Sequence, residues 1–234
     1  MMEGLAKLCE LPWFSGLHRR IYDVLAVEGM LPDPCEIRVL APEDVEADER
    51  VRGACWKDTK ILWFREQPPD PITFAHELLH LIEKGDLKLE EVYAYNLSAL
   101  VVLMAEEGVV PPANPVRLFE ASADAILEAI NETYKFKFSS LAEYFLTIGV
   151  VPYFVHLAWE GDSIQARGVR EGLSEREVAI EAVSELAAGA LYDRYMFEAL
   201  LRLLGKLARR GAVGGGGGPK GGRDHRALRM RLRS

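Results

Sequence analysis

The sequence predicts an α+β protein, and three observations carry the prediction. Short β-type runs, Ile37–Leu40, Val51–Trp56 and Lys60–Phe64, crowd the stretch from Cys35 to Glu66. From Pro71 onward, apolar residues recur at helical spacing over long segments. Gly85-Asp86 is a turn signal between the first two of these segments, and a loop that short makes them an antiparallel helix hairpin. The expected architecture is therefore a small N-terminal sheet, a helix hairpin, and a mostly helical C-terminal half. With 49% hydrophobic and 27% charged residues in 234, the chain can bury a sizeable core as one domain or one domain with an extension. The expected divisions are residues 1–110 for the sheet, hairpin and an N-terminal helix, 111–212 for a helical extension packed on them, and 213–234 for a disordered, basic, glycine-rich tail.

Between Met1 and Gly29, charged residues (Glu3, Lys7, Glu10, Arg19, Arg20, Asp23) interleave with apolar ones, which does not match a signal peptide. Leu17, Ile21, Val24 and Leu25 instead share one face of an amphipathic helix ending near Gly29, and Pro32 and Pro34 mark a boundary. This helix is expected to pack on the unit that follows, with a propeptide role as the alternative. Cys9, Cys35 and Cys55 are odd in number and follow no ligand spacing, so they read as reduced thiols of an intracellular, cytoplasmic protein. The strands come next, with the acidic stretch Pro42–Arg50 as a loop or short helix and Lys57-Asp58-Thr59 as a turn.

Ile72 to Glu83 contains His76-Glu77-Leu78-Leu79-His80. Pro71 suits a helix start and Gly85 a helix end, so His76 and His80, four residues apart, lie on one helical face. Two neutral imidazoles at that spacing can both ligate a tetrahedral zinc ion, and the glutamate after the first can reach a water at the metal as general base. Phe74, Leu78, Leu79, Leu81 and Ile82 fill the other faces with apolar groups. The bland alternative is a pair of solvated or internally satisfied histidines.

The second helix is expected over Leu87–Met104. Counted outward from Gly85-Asp86, His80 and Glu91 lie level with one another. Glu91 is thus placed to be a third ligand, leaving a fourth position open as a catalytic zinc requires. Glu90 is the alternative after a phase slip of one residue, and either also suits the acidic first turn of a helix.

His76-Glu77-Leu78-Leu79-His80 followed by a helix opening Glu91-Val92-Tyr93-Ala94 resembles the gluzincin branch of zinc metallopeptidases, whose pattern is HExxH plus a downstream glutamate on a second helix. The likeness is to the small minigluzincins and, through E-x-x-A, to peptidases that cleave repressors in bacterial stress responses and mobile elements; it covers residues 35–105. It implies a zincin-like core, a Zn2+ cofactor on His76, His80 and Glu91, Glu77 as general base, and a peptide or protein substrate. In larger gluzincins the interval from the second histidine to the glutamate is longer, and an aspartate often stands where this chain has Tyr95. In such enzymes the strand before the HExxH helix, here Ile61–Phe64, commonly forms the cleft rim and pairs with extended substrate; simple packing on the helix is the alternative.

Pro111-Pro112-Ala113-Asn114-Pro115 breaks the chain rigidly, and Val116–Ile130 reads as an amphipathic helix on which Glu120 or Asp124 is either exposed or orients a zinc histidine. Ala142–Trp159 is the most apolar run, but Gly149 and Pro152 interrupt it and Glu143 and His156 sit inside it, so it reads as two buried helical pieces and no transmembrane segment is expected. Tyr153 and His156 are candidates for stabilising an oxyanion, or core residues. Ser174 is an N-cap for a last helix running to about Arg210, with Glu177 completing a capping box.

From Lys206 onward the chain has nine Lys and Arg against one acid, Asp224, while the rest carries a charge near −16. Three readings of this tail stay open: folding back on the acidic body, weak nonspecific contact with nucleic acid or acidic lipid, or no role. Its glycines are not a phosphate-binding loop, since no Gly-Lys-Ser/Thr follows.

The expected activity is hydrolysis of peptide bonds by a zinc-dependent metallopeptidase. Two other classes compete with it. One is a noncatalytic zincin-scaffold module that binds protein or nucleic acid; the other is a non-haem iron enzyme, because two histidines and a carboxylate also make a facial triad.

Overall fold

Strand β2 (Arg38–Leu40) is paired along both edges, with β1 (Ala6–Lys7) antiparallel to it and β5 (Ile61–Phe64) parallel. Between β2 and β5 in sequence lie β3 (Val45–Glu46) and β4 (Gly53–Trp56). The sheet order is β1-β2-β5-β4, with β4 antiparallel to β5 and pairing Gly53 with Phe64 and Trp56 with Ile61. The structure is a computed structural model and describes residues 5–82, 91–135, 137–148, 183–184, 186–213 and 231–232.

The strand alternation sorts side chains onto two faces, as a period of two must. Val39, Leu62 and Phe64 turn to the main core, while Leu40, Ala54 and Trp63 turn away and close a smaller cluster with Val45. Three helices cover the first face. They are α1 (Gly16–Leu25), α2 (Pro71–Leu81) and α3 (Glu91–Glu106), each packed on the other two, and α2 also lies against β4. In α1 the buried residues include Ile21, Val24 and Leu25, one face of the helix read from sequence. The fold is α+β, with α4 (Ala123–Tyr134), α5 (Leu141–Ile148) and α6 (Arg194–Val213) building the C-terminal half. A continuous apolar core runs from Leu8 to Leu207 through both halves. Among the described residues no helix is long and apolar enough to cross a membrane.

Several expectations need correction. Val116–Ile130 is not one helix: Pro115–Glu120 is a 3-10 turn, and Ser122 starts α4 afresh by accepting a hydrogen bond from the Ala125 N–H at 3.2 Å. The last helix is likewise broken, because the N–H groups of Tyr192 and Asp193 both return to the Gly189 carbonyl and Asp193 then accepts from the Tyr195 N–H at 2.8 Å to open α6. The expected start of that helix at Ser174 lies outside the described residues, as do Tyr153 and His156. Cys9 and Cys35 are joined by a disulfide with Cα atoms 5.0 Å apart, so only Cys55 is a free thiol. An odd count hid one bridge, and the reduced-thiol argument for an intracellular location loses its premise. The tail is not wholly without structure, since Arg231–Leu232 forms a strand, β6, antiparallel to β3.

Candidate metal centre

Helix α2 is set by its own first residues. The Asp70 carboxylate accepts from the Thr73 N–H at 3.0 Å, and Pro71 occupies the first helical position, where its missing donor costs nothing. His18 on α1 lies 2.8 Å from the Pro69 carbonyl, pinning the approach to the helix. At the other end the helix stops at Leu81, before Gly85, and Lys57 donates to the Ile82 carbonyl at 3.2 Å. A lysine at the C-terminal end also meets the negative end of the helix dipole.

Held this way, His76 and His80 bring their Nε2 atoms to 3.1 Å, with ring centroids 4.8 Å apart and planes at 78°. Two nitrogens about 2.0–2.1 Å from one zinc ion at a near-tetrahedral angle stand roughly 3.1–3.4 Å apart. The pair therefore fits the metal by chemistry and separation; the same distance also suits an N–H···N hydrogen bond. His76 is 5% exposed and Glu77 6%, whereas His80 is half-buried at the rim.

The edge strand lies directly over the glutamate. Gly53 and Cys55 share the face of β4 that looks at α2. A Cβ on Gly53 would stand 2.7 Å from Glu77 Oε1 and 2.8 Å from its Cγ, so this backbone can approach only because residue 53 is glycine. Burial pushes the Cys55 thiol pKa well up, and the Glu77 charge adds to the shift, so the thiol stays protonated and is not a nucleophile here. Gly53 escaped the sequence reading, although a glycine inside a strand pattern is the known mark of a close approach by another group. Replacing it with alanine must displace Glu77. Gly53→Ala is expected to cost about 1–3 kcal/mol of folding stability, read by urea or thermal unfolding. An unchanged unfolding curve in that variant would show that Glu77 has room to move.

Glu91 opens α3, whose backbone packs along α2. The Glu91 side chain lies outside the described residues, as does the whole of Glu90. Among the described residues no group of three His, Cys, Asp or Glu converges on one point, and the two histidines are the described residues of the candidate site. Glu120 does not turn to the histidines: it is paired with Arg117 at 2.8 Å, which also holds Glu28 at 3.2 Å. Asp124 is exposed in the first turn of α4.

The strand expected to rim the cleft, Ile61–Phe64, is internal to the sheet, flanked by β2 and β4. Its pairing edges are consumed, and among the described residues β4 is the strand that ends the sheet beside α2. Comparison with family models, with curated proteins and with solved structures finds no match.

Proposed function

We propose that this chain is a zinc-dependent metallopeptidase of the gluzincin type, with His76, His80 and Glu91 holding Zn2+ and Glu77 acting as general base. The observation that carries the reading is the 3.1 Å convergence of the two Nε2 atoms on the face of α2 that also bears a 6%-exposed Glu77. Zinc, when bound, supplies Lewis acidity toward water and a peptide carbonyl. Glu77 takes the proton from the attacking water on a carboxylate oxygen and delivers it to the departing amide nitrogen. The contact with Gly53 limits where that carboxylate can swing, which keeps it oriented for both transfers. The outer edge of β4 offers main-chain donors and acceptors to an extended peptide, which would add as a further strand beside Glu77.

Elemental analysis of the full-length protein beside His80→Ala and Glu91→Ala tests the centre. About one zinc per chain, lost in both variants, is expected. Failure to take up zinc when it is offered, or zinc retained equally without Glu91, would overturn the ligand set and move the noncatalytic scaffold ahead.

A further inference from the structure

The hydrogen bonds of β4 fix which of its backbone groups face outward. The Arg65 N–H donates to the Arg52 carbonyl at 2.9 Å, so in the alternation of an antiparallel ladder Arg52, Ala54 and Trp56 turn their backbone groups to β5. The N–H and C=O groups of Gly53 and Cys55 then turn to the outer edge. Side chains alternate across the two faces. Cys55 packs on the main core and Gly53 touches Glu77, whereas Ala54 and Trp56 join the cluster of Leu40, Val45 and Trp63 on the opposite face.

That opposite face ends in two like charges. Continuing the register that pairs Gly53 with Phe64 sets Arg52 directly across from Arg65. Like charges in that relation repel. Arg65 gives its guanidinium to three backbone carbonyls, those of Val51 at 2.8 Å and Ala47 at 3.0 Å and that of Asp48. Carbonyls satisfy its donors without cancelling its charge. Arg52 is exposed and enters no ion pair among the described residues. A positive corner thus stands on a chain of net charge -8. Four residues along the same face, at the other end of β4, Trp56 is only partly buried.

We propose that the β4 edge selects extended peptides carrying a large apolar residue and, four positions later, an acidic one. A strand added antiparallel to β4, the direction that sets hydrogen bonds perpendicular to the strands, places the apolar residue opposite Trp56 and the acid opposite Arg52. The second and fourth residues of this stretch exchange backbone hydrogen bonds with Cys55 and Gly53. The fourth thereby lies opposite the glycine that touches Glu77. The acid falls on the other face, where its charge meets Arg52 and stays clear of Glu77. As a substrate class this rests on the metallopeptidase reading, although the selection itself uses only the sheet edge.

Binding, not cleavage, tests it, so that failure here and failure of the peptidase reading stay distinct. Short, end-blocked, fluorescein-labelled peptides with the core Phe-Val-Thr-Val-Glu are titrated with the full-length Glu77→Gln protein and read by anisotropy. The Glu peptide is expected to bind about five- to tenfold more tightly than its Lys counterpart, as exchanging an attractive cross-strand charge for a repulsive one implies. Arg52→Glu, at an exposed position, should invert that preference with an unchanged melting curve. N-methylation of the two Val residues removes the N–H groups that face Cys55 and Gly53 and should abolish binding. Equal or absent binding of the Glu and Lys peptides, a preference that Arg52→Glu leaves as it was, or binding that survives N-methylation would overturn the proposal. Tighter binding of the reversed core, Glu-Val-Thr-Val-Phe, would overturn it as well. Selective binding by a zinc-loaded parent that cleaves none of these peptides would support the selection and count against the peptidase reading.

Discussion

Glu77→Gln should hold zinc at about one per chain and lower peptide hydrolysis by roughly 10²–10⁴-fold, the range general-base removal commonly costs. The substitution is close to isosteric, so the side chain can keep its place under Gly53, where the backbone leaves no space for anything bulkier. What changes is proton affinity: an amide neither takes a proton from water nor passes one to a leaving nitrogen. Parallel measurement of zinc content and peptide cleavage separates this effect from loss of the metal. A variant that keeps both its zinc and its full rate would remove Glu77 from the mechanism.

Phe74→Ala should cost about 3–5 kcal/mol of folding stability, measured by urea or thermal unfolding. Phe74 is fully buried two residues before His76. Its ring meets those of Trp13 at 5.7 Å, Phe14 at 6.2 Å, His18 at 5.2 Å and Phe64 at 5.9 Å. Truncation removes the transfer energy of a whole aromatic side chain, and four neighbours drawn from α1, β5 and the turn before α1 cannot all close on the space. Because Phe74 wedges α2 between α1 and the sheet, the variant should also loosen the seat of the histidines, visible as weaker zinc retention at temperatures where the protein is still folded. A loss below about 1 kcal/mol would mean that this cluster collapses readily and does not fix the helix.

What could be read in advance was local. Pro71 announces the start of α2, and helical spacing alone puts His76 and His80 on one face. The Ile21, Val24 and Leu25 stripe announces α1 in the same way. Breaks inside apparently periodic runs were harder, because Ser122 and Asp193 interrupt patterns whose apolar spacing continues past them. Their side chains do carry the cap chemistry, and a reading that weighed caps above periodicity would have found both.

The features that decide the site's surroundings could not be read this way. The pairing of Ala6–Lys7 with Arg38–Val39, the bond between Cys9 and Cys35, and the pairing of Val45–Glu46 with Arg231–Leu232 all join segments far apart in sequence. So does the approach of Gly53 to Glu77. The sequence by itself determined the donor types and their common helical face, since a repeat of 3.6 residues is a property of the backbone alone. Only the tertiary structure decided which strand ends the sheet, and hence that among the described residues β4 and not Ile61–Phe64 stands at the edge beside α2. Strand order depends on nonlocal pairing and on which apolar faces must be buried together, and the alternation along one strand specifies its two faces but not its neighbours.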